Sequence, residues 1–286
     1  MVSDAYRTCL RIAASHYENF PVASRLVPAA MRPHVAAVYA FARGADDIAD
    51  EPGRAPEERL TLLDQWQRHL RETPRDDVFE ALADTRARFN LPIELFDDLL
   101  SAFRQDVTQT RYDTWAELLD YCRRSANPIG RLVLRLAGRD DAAADRWSDA
   151  VCSALQLTNF WQDLAIDWQR GRLYLPAELW RPYQASAEDL DHGVMSEPWR
   201  SGLTEAAHRT RQLFIDGRPV CDTVSGRLRY ELRATWLGGV RVLDEVERVG
   251  FNVFADRPKL TSSDALVIGW KALITWPATP RSITRF

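Results

Sequence analysis

Residues 156–176 read QLTNFWQDLAIDWQRGRLYLP, and the spacing of oxygen-bearing side chains within them decides how the chain is read. Asn159, Asp163 and Asp167 recur every four residues. An α-helix turns about once every 3.6 residues, so the three project from one face over about 12 Å of axis. Leu155, Leu157, Phe160, Trp161, Leu164 and Ile166 surround them, and unpaired carboxylates in so apolar a segment are costly. The row calls for a compensating cation.

A second row lies far upstream. In HVAAVYAFARGADDIADE, residues 34–51, Asp46 and Asp50 are again four apart with Asp47 beside them, and Arg43 and Tyr39 continue the same face. The two rows together offer five carboxylates and one amide oxygen. Hard oxygen donors in that number suit Mg²⁺, which keeps several of its waters and usually holds a phosphate. The expectation is that the rows face each other. A solvated acidic helix face explains either row alone equally well, but explains poorly a pair that are each embedded in an apolar helix.

Working outward, the 286 residues are 46% hydrophobic, enough for a large core, and no break in composition separates domains, so a single domain over 1–286 is expected. A net charge of −4, with 37 basic residues scattered along the chain, offers no basic field and argues against nucleic acid as a partner. Cys9, Cys122, Cys152 and Cys221 stand singly, without zinc-ligand spacing, which suits a reduced, cytoplasmic protein. No window reaches the roughly 18 apolar residues of a membrane span, and the N-terminus has no apolar signal-like run.

Helical signals fill the rest of the chain. A short amphipathic helix runs to about His16 and stops at Glu18-Asn19-Phe20-Pro21; Pro33 opens the next, and Pro52-Gly53 closes it. Pro56-Glu57-Glu58 starts another, with Leu60, Leu63, Trp66 and Leu70 as its core stripe, and helices follow from about Asp76 to Phe89 and from Pro92 to Val107. In that last helix Asp97 and Asp98 fall outside the apolar face and read as solvated. Thr114 with Glu117 forms a capping box; Asn127-Pro128 and Gly130 then mark either a kink or a turn between two helices. Asp140-Asp141 caps the long helix of the opening motif, which Gly171 ends, and Leu173 to Pro176 leads away as a loop. Residues 199–216 and 227–249 are periodic, with Gly238-Gly239 marking close packing or room for a ligand. ALVIGWKALITW, 265–276, is a short apolar helix expected to pack on the core, with a membrane interface as the alternative. No strand period competes, so the fold class is all-α.

An all-α chain with two acidic rows, an Arg, a Tyr and many aromatics fits chemistry on a diphosphate. Mg²⁺ between the rows would neutralise the leaving group, and walls including Phe20, Tyr39, Phe41, Tyr121, Phe160 and Phe251 would shield a carbocation from water.

AFARGADDIAD and QLTNFWQDLAIDWQRGRLYLP resemble the two signature motifs of the squalene and phytoene synthase family, in the right order and about 110 residues apart. The resemblance runs from His16 to VLDEVERVGFNVFADRPKL, and it implies an all-helical isoprenoid-synthase bundle with a central cavity that binds prenyl diphosphates through Mg²⁺. HYENFPVAS and YCRRSANPIG look like the bacterial hydroxysqualene synthase branch, which takes presqualene diphosphate and water, needs no NADPH, and serves squalene and hopanoid synthesis. The resemblance makes Asp46, Asp50, Asn159, Asp163 and Asp167 the metal ligands. Asp46, Asp50, Asp163, Asp167 and Tyr39 would be catalytic, and His16, Asn19, Tyr39, Arg43, Gln156 and Phe251 would hold substrate.

Three departures bear on substrate. Glu18 and Asn19 stand where condensing relatives have a hydroxyl or a Lys, Gln162 where they often have an Arg, and Phe251 where a Tyr is common. Fewer polar contacts suit one diphosphate instead of two, although Arg172, Arg257 or Lys259 could substitute. A head-to-head condensing enzyme and a non-catalytic assembly factor are the alternatives, the latter disfavoured because no motif aspartate is lost. Peripheral membrane contact and association with neighbouring pathway enzymes are the further expectations.

Overall fold

The computed structural model describes residues 2–15, 26–51, 53–74 and 76–276. Among the described residues every regular element is helical, and a lone parallel bridge joins Arg111 to Leu173. The helices are α1 (Val2–Ser15), α2 (Arg32–Asp50), α3 (Pro56–His69), α4 (Asp77–Phe89), α5 (Ile93–Thr108), α6 (Trp115–Ser125) and α7 (Asn127–Leu136). After them come α8 (Ala142–Gln169), α9 (Ala177–Trp180), α10 (Ala187–Asp191), α11 (Glu197–Gly217), α12 (Gly226–Arg248) and α13 (Ser262–Leu273).

Local chemistry sets most of these bounds. Asp76 accepts from the Phe79 N–H at 3.0 Å to start α4, and Asn90 ends it in the left-handed region. Thr114 and Glu117 exchange side-chain and backbone hydrogen bonds at the start of α6, as expected. Asp141 caps α8 by accepting from the Ala144 N–H at 2.8 Å, and Gly171, with φ +78, follows the helix where a side chain would be strained. The break at 126–128 separates two helices and does not kink one: Pro128 sits in the first turn of α7, where its missing N–H costs nothing. Helices α9 and α10 span four and five residues, too few for a 3.6-residue period to be read.

The chain groups into two compact units, each drawn from three separate stretches. In the first unit (Met1–Gln109, Arg123–Asp145, Asp222–Glu231), α2 packs against α1, α3, α4, α5 and α7. Its core is aromatic: Phe41 meets Phe96 and Phe79 edge-on, with ring centroids 5.4 and 6.0 Å away, and Trp66 meets Phe79 at 4.7 Å. Gly44 lets α2 approach this cluster, since a Cβ there would lie 2.6 Å from the Trp66 ring. Phe41 is fully buried in that core, which corrects its expected place on a substrate-facing wall. Asp97 and Asp98 are half-buried and ion-paired with Arg71 and Arg123, a partial correction to the solvated reading.

In the second unit (Thr110–Cys122, Arg146–Cys221, Leu232–Phe286), buried tryptophans tie elements together through their indole N–H groups. Trp161 donates to Thr210 Oγ1 at 2.9 Å, Trp236 to the Phe214 carbonyl at 2.7 Å and Trp199 to the Ser186 carbonyl at 2.8 Å. At Gly239 an added Cβ would meet Leu155 at 2.5 Å and Phe214 at 2.7 Å, so close packing is what this glycine serves. Of α13, Ile268 and Ala272 alone are buried, so the expected core packing covers only part of that helix.

Candidate active site

In the second unit, α8 carries Gln156, Asn159, Asp163 and Asp167 down one side, all partly accessible, while Leu157, Phe160, Trp161 and Leu164 are buried. Asn159 donates from Nδ2 to Asp163 Oδ2 at 2.8 Å, so its own oxygen is the group offered outward. The Arg257 guanidinium forks onto both oxygens of Asp163, with Nη2 3.1 Å from Oδ2 and Nε on Oδ1. Gln162 positions that arginine: it is buried, donates to the Pro258 carbonyl and accepts from Arg257 Nη2 at 3.4 Å. Gln162 thus holds Arg257 beside the row.

The segment after α8 is strapped down. Leu173 N–H donates to the Thr110 carbonyl at 2.9 Å, Ala177 N–H to Tyr112 and Glu178 N–H to Asp113. Arg111 donates to the Gly171 carbonyl and lies over the Trp168 ring at 5.0 Å. Within this strap Tyr174 stacks on Phe160, centroids 3.7 Å apart and planes within 5°, and Tyr112 and Tyr121 complete a buried aromatic cluster. The rings wedge the strap against the buried side of α8, which fixes the direction in which the row points. Phe251 is buried just after α12 with φ +60, and its N–H closes that helix on the Val246 carbonyl at 2.9 Å.

In the first unit, the accessible stripe of α2 is Tyr39, Arg43, Asp46, Asp47 and Asp50, and Ala45, Ala49 and Phe41 turn inward. Arg43 holds Asp47 at 2.6 Å and Asp46 at 3.3 Å, one turn along the helix. Asp46 is half-buried and Asp50 exposed, so this row is more open to solvent than the apolar sequence around it implies. His16 and Asn19, like Phe20, lie outside the described residues.

Both rows are thus carboxylates on an accessible helix face, each with an arginine partner. These donors fit Mg²⁺ chemically, being hard oxygens beside an amide oxygen. Among the described residues no three His, Cys, Asp or Glu side chains are gathered into a ready-made cluster. Mg²⁺ generally takes one or two carboxylates and completes its shell with water and phosphate. Asp46, Asp50, Asn159, Asp163 and Asp167 are the residues that would hold it.

The all-helical scaffold that carries these aspartate rows matches solved structures of isoprenoid-synthase fold. The sequence matches the squalene/phytoene synthase family profile over residues 13–264, and the chain belongs to that family, whose enzymes process prenyl diphosphates. It is 30% identical over 292 residues to the 15-cis-phytoene synthase of Synechococcus elongatus, covering 96% of this chain and 92% of the relative. Against the hydroxysqualene synthase of Sinorhizobium fredii it is 38% identical over 228 residues, 78% of this chain and 77% of that one. The crystal structure of squalene synthase HpnC from Alicyclobacillus acidocaldarius superposes with a TM-score of 0.82 at 38% identity, over 88% of this chain and 96% of that one.

Proposed function

We propose that the chain is a single-domain, Mg²⁺-dependent hydroxysqualene synthase acting on presqualene diphosphate in squalene and hopanoid synthesis. Two intact aspartate rows, each on an accessible helix face beside an arginine, carry the reading. Similarity to hydroxysqualene synthases is higher per residue, 38%, than to the phytoene synthase that aligns over more of the chain, 30%. Phe251, where a Tyr is common in condensing relatives, leaves one polar group fewer for a second diphosphate.

In the proposed reaction the aspartates act on the diphosphate leaving group. The C–O bond breaks with its electron pair leaving on the diphosphate, the cyclopropylcarbinyl cation rearranges, and water adds and loses a proton to give the alcohol. Mg²⁺ would supply charge neutralisation of the leaving group. Arg43, Tyr39 and Gln156 orient the phosphate oxygens, and the buried strap of Tyr174 on Phe160 keeps the row facing the substrate. A substrate with so long a hydrocarbon tail places a cytoplasmic enzyme beside a membrane and beside the enzymes that supply it.

Purified protein given presqualene diphosphate and Mg²⁺ without NADPH is expected to release hydroxysqualene, and chelation by EDTA to stop it. Turnover of farnesyl or geranylgeranyl diphosphate, with none on presqualene diphosphate, would reject this reading. The match to phytoene synthases along 96% of the chain favours a head-to-head condensing enzyme as the second reading, and that same outcome would establish it.

A further inference from the structure

Helix α13 is pinned at both ends. At its start Thr261 and Asp264 form a reciprocal capping box, and Asp264 Oδ1 also accepts from Arg241 Nε of α12 at 2.7 Å. The Thr261 hydroxyl and N–H, then Arg241, hold the Asp264 carboxyl down to about 2, so this anchor stays charged. Just past its end, Trp276 lies under the guanidinium groups of Arg218 and Arg233, 4.5 and 4.9 Å from its ring, with Trp236 edge-on at 5.6 Å. These contacts set the rotation of the helix about its axis.

That rotation turns an apolar face outward. Leu266, Val267, Trp270, Leu273 and Ile274 are 77, 47, 61, 53 and 63% exposed, at the spacing of one helical stripe, and exposed Leu260 extends it. Among the described residues, six of the eleven exposed large apolar side chains fall within these 15 positions, so the patch is not the scatter found on any surface. Its charge is also distinctive. Residues 256–286 carry five bases, Arg257, Lys259, Lys271, Arg281 and Arg285, against two acids, Asp256 and Asp264; Arg257 is engaged by Asp163 and Asp264 by Arg241, and outside these two pairs the balance is four bases to one acid. A basic, apolar end on a chain of net charge −4 is complementary to an anionic lipid surface. At 12 residues α13 is too short to cross a bilayer, and no helix among the described residues is long and apolar enough to do so.

We infer that the outward face of α13 docks the enzyme on the surface of an anionic bilayer, with Leu266, Trp270 and Leu273 entering the headgroup boundary. From the functional reading the inference takes only the hydrophobicity of the substrate, which such a surface would deliver. The test is flotation of the full chain with phosphatidylcholine vesicles containing about a third phosphatidylglycerol, at moderate salt. The wild type is expected to float, and L266Q/W270Q/L273Q to partition at least about ten-fold more weakly, with an unchanged thermal midpoint because the three side chains lie largely in solvent. The single variant L266Q, at the most exposed position, should show a smaller loss of the same sign. A wild type that stays in solution, a triple variant that floats equally, or a patch that instead holds two copies of the chain together overturns the inference. Turnover of detergent-dispersed presqualene diphosphate separates the two readings. Flotation without turnover counts against the function alone, and turnover without flotation against the docking face alone.

Discussion

Replacing Arg257 by Gln asks whether Asp163 is held in reserve for a cation. The guanidinium grips both carboxylate oxygens, and the two side chains are 30% and 19% exposed. At a charge separation of about 4 Å and an effective dielectric of about 20, the attraction is roughly 4 kcal/mol. Desolvation of both ends and the remaining solvent contact offset more than half of it, leaving about 1–2 kcal/mol. A metal that uses Asp163 must displace the guanidinium, so this energy opposes metal binding in the substrate-free enzyme. R257Q is therefore expected to bind Mg²⁺ about 5–30-fold more tightly in isothermal titration calorimetry without substrate, at about 1.4 kcal/mol per tenfold. Loss of a positive charge would also attract Mg²⁺ non-specifically, and D163N separates the two effects. In that background R257Q should change the affinity by less than about two-fold, because the contested carboxylate is gone. Equal tightening in both backgrounds, or none in R257Q alone, would refute the reasoning.

Asp46→Asn removes one carboxylate held by Arg43 and should lower steady-state turnover by about 10³-fold or more, with the thermal midpoint unchanged or raised because Asp47 and Asp50 lose a like-charged neighbour. Gly239→Ala drives a methyl into Leu155 and Phe214, at a cost of about 1–3 kcal/mol, and should lower the calorimetric midpoint by roughly 2–5 °C. His34 is buried against Tyr6 and Thr85, at 3.0 and 2.9 Å, and burial, with Arg88 adding and Asp84 opposing, lowers its pKa. The fold thus favours neutral His34, whereas the unfolded chain takes up the proton near pH 6.5. Its contribution to stability is complete above that pH and is lost as the pH falls through the lower folded value. Urea midpoints at pH 7.5 and 5.5 should differ more in the wild type than in His34→Gln.

Much of the molecule is legible in the order of its residues, since the signals involved are local. Helix period, the proline at the start of α2, the glycine that follows α8, and the caps at Thr114 and Asp141 depend on groups within a few residues of one another, and the structure places them as read; the stops at Pro21 and Pro52 lie outside the described residues. The same holds within each row: Asn159, Asp163 and Asp167 share the accessible side of α8, and Tyr39, Arg43, Asp46 and Asp50 that of α2, because backbone geometry alone puts them there.

What the order of residues left open was decided by contacts between distant segments. Arg257 lies 94 residues from the carboxylate it grips; the sequence offered Arg172, Arg257 and Lys259 alike as further basic groups near the row, and the pairing of Arg257 with Asp163 came only with folding. Phe41 carried the same aromatic signal as Tyr39 and went to the core because Phe79, Phe96 and Trp66 close around it. On α13 both faces are apolar in the sequence, and the anchors at Asp264 and Trp276 determined which meets water. Periodicity states which side chains share a face; which face is buried is set by the free energy of all the surfaces that come together, and that sum exists only in the tertiary structure.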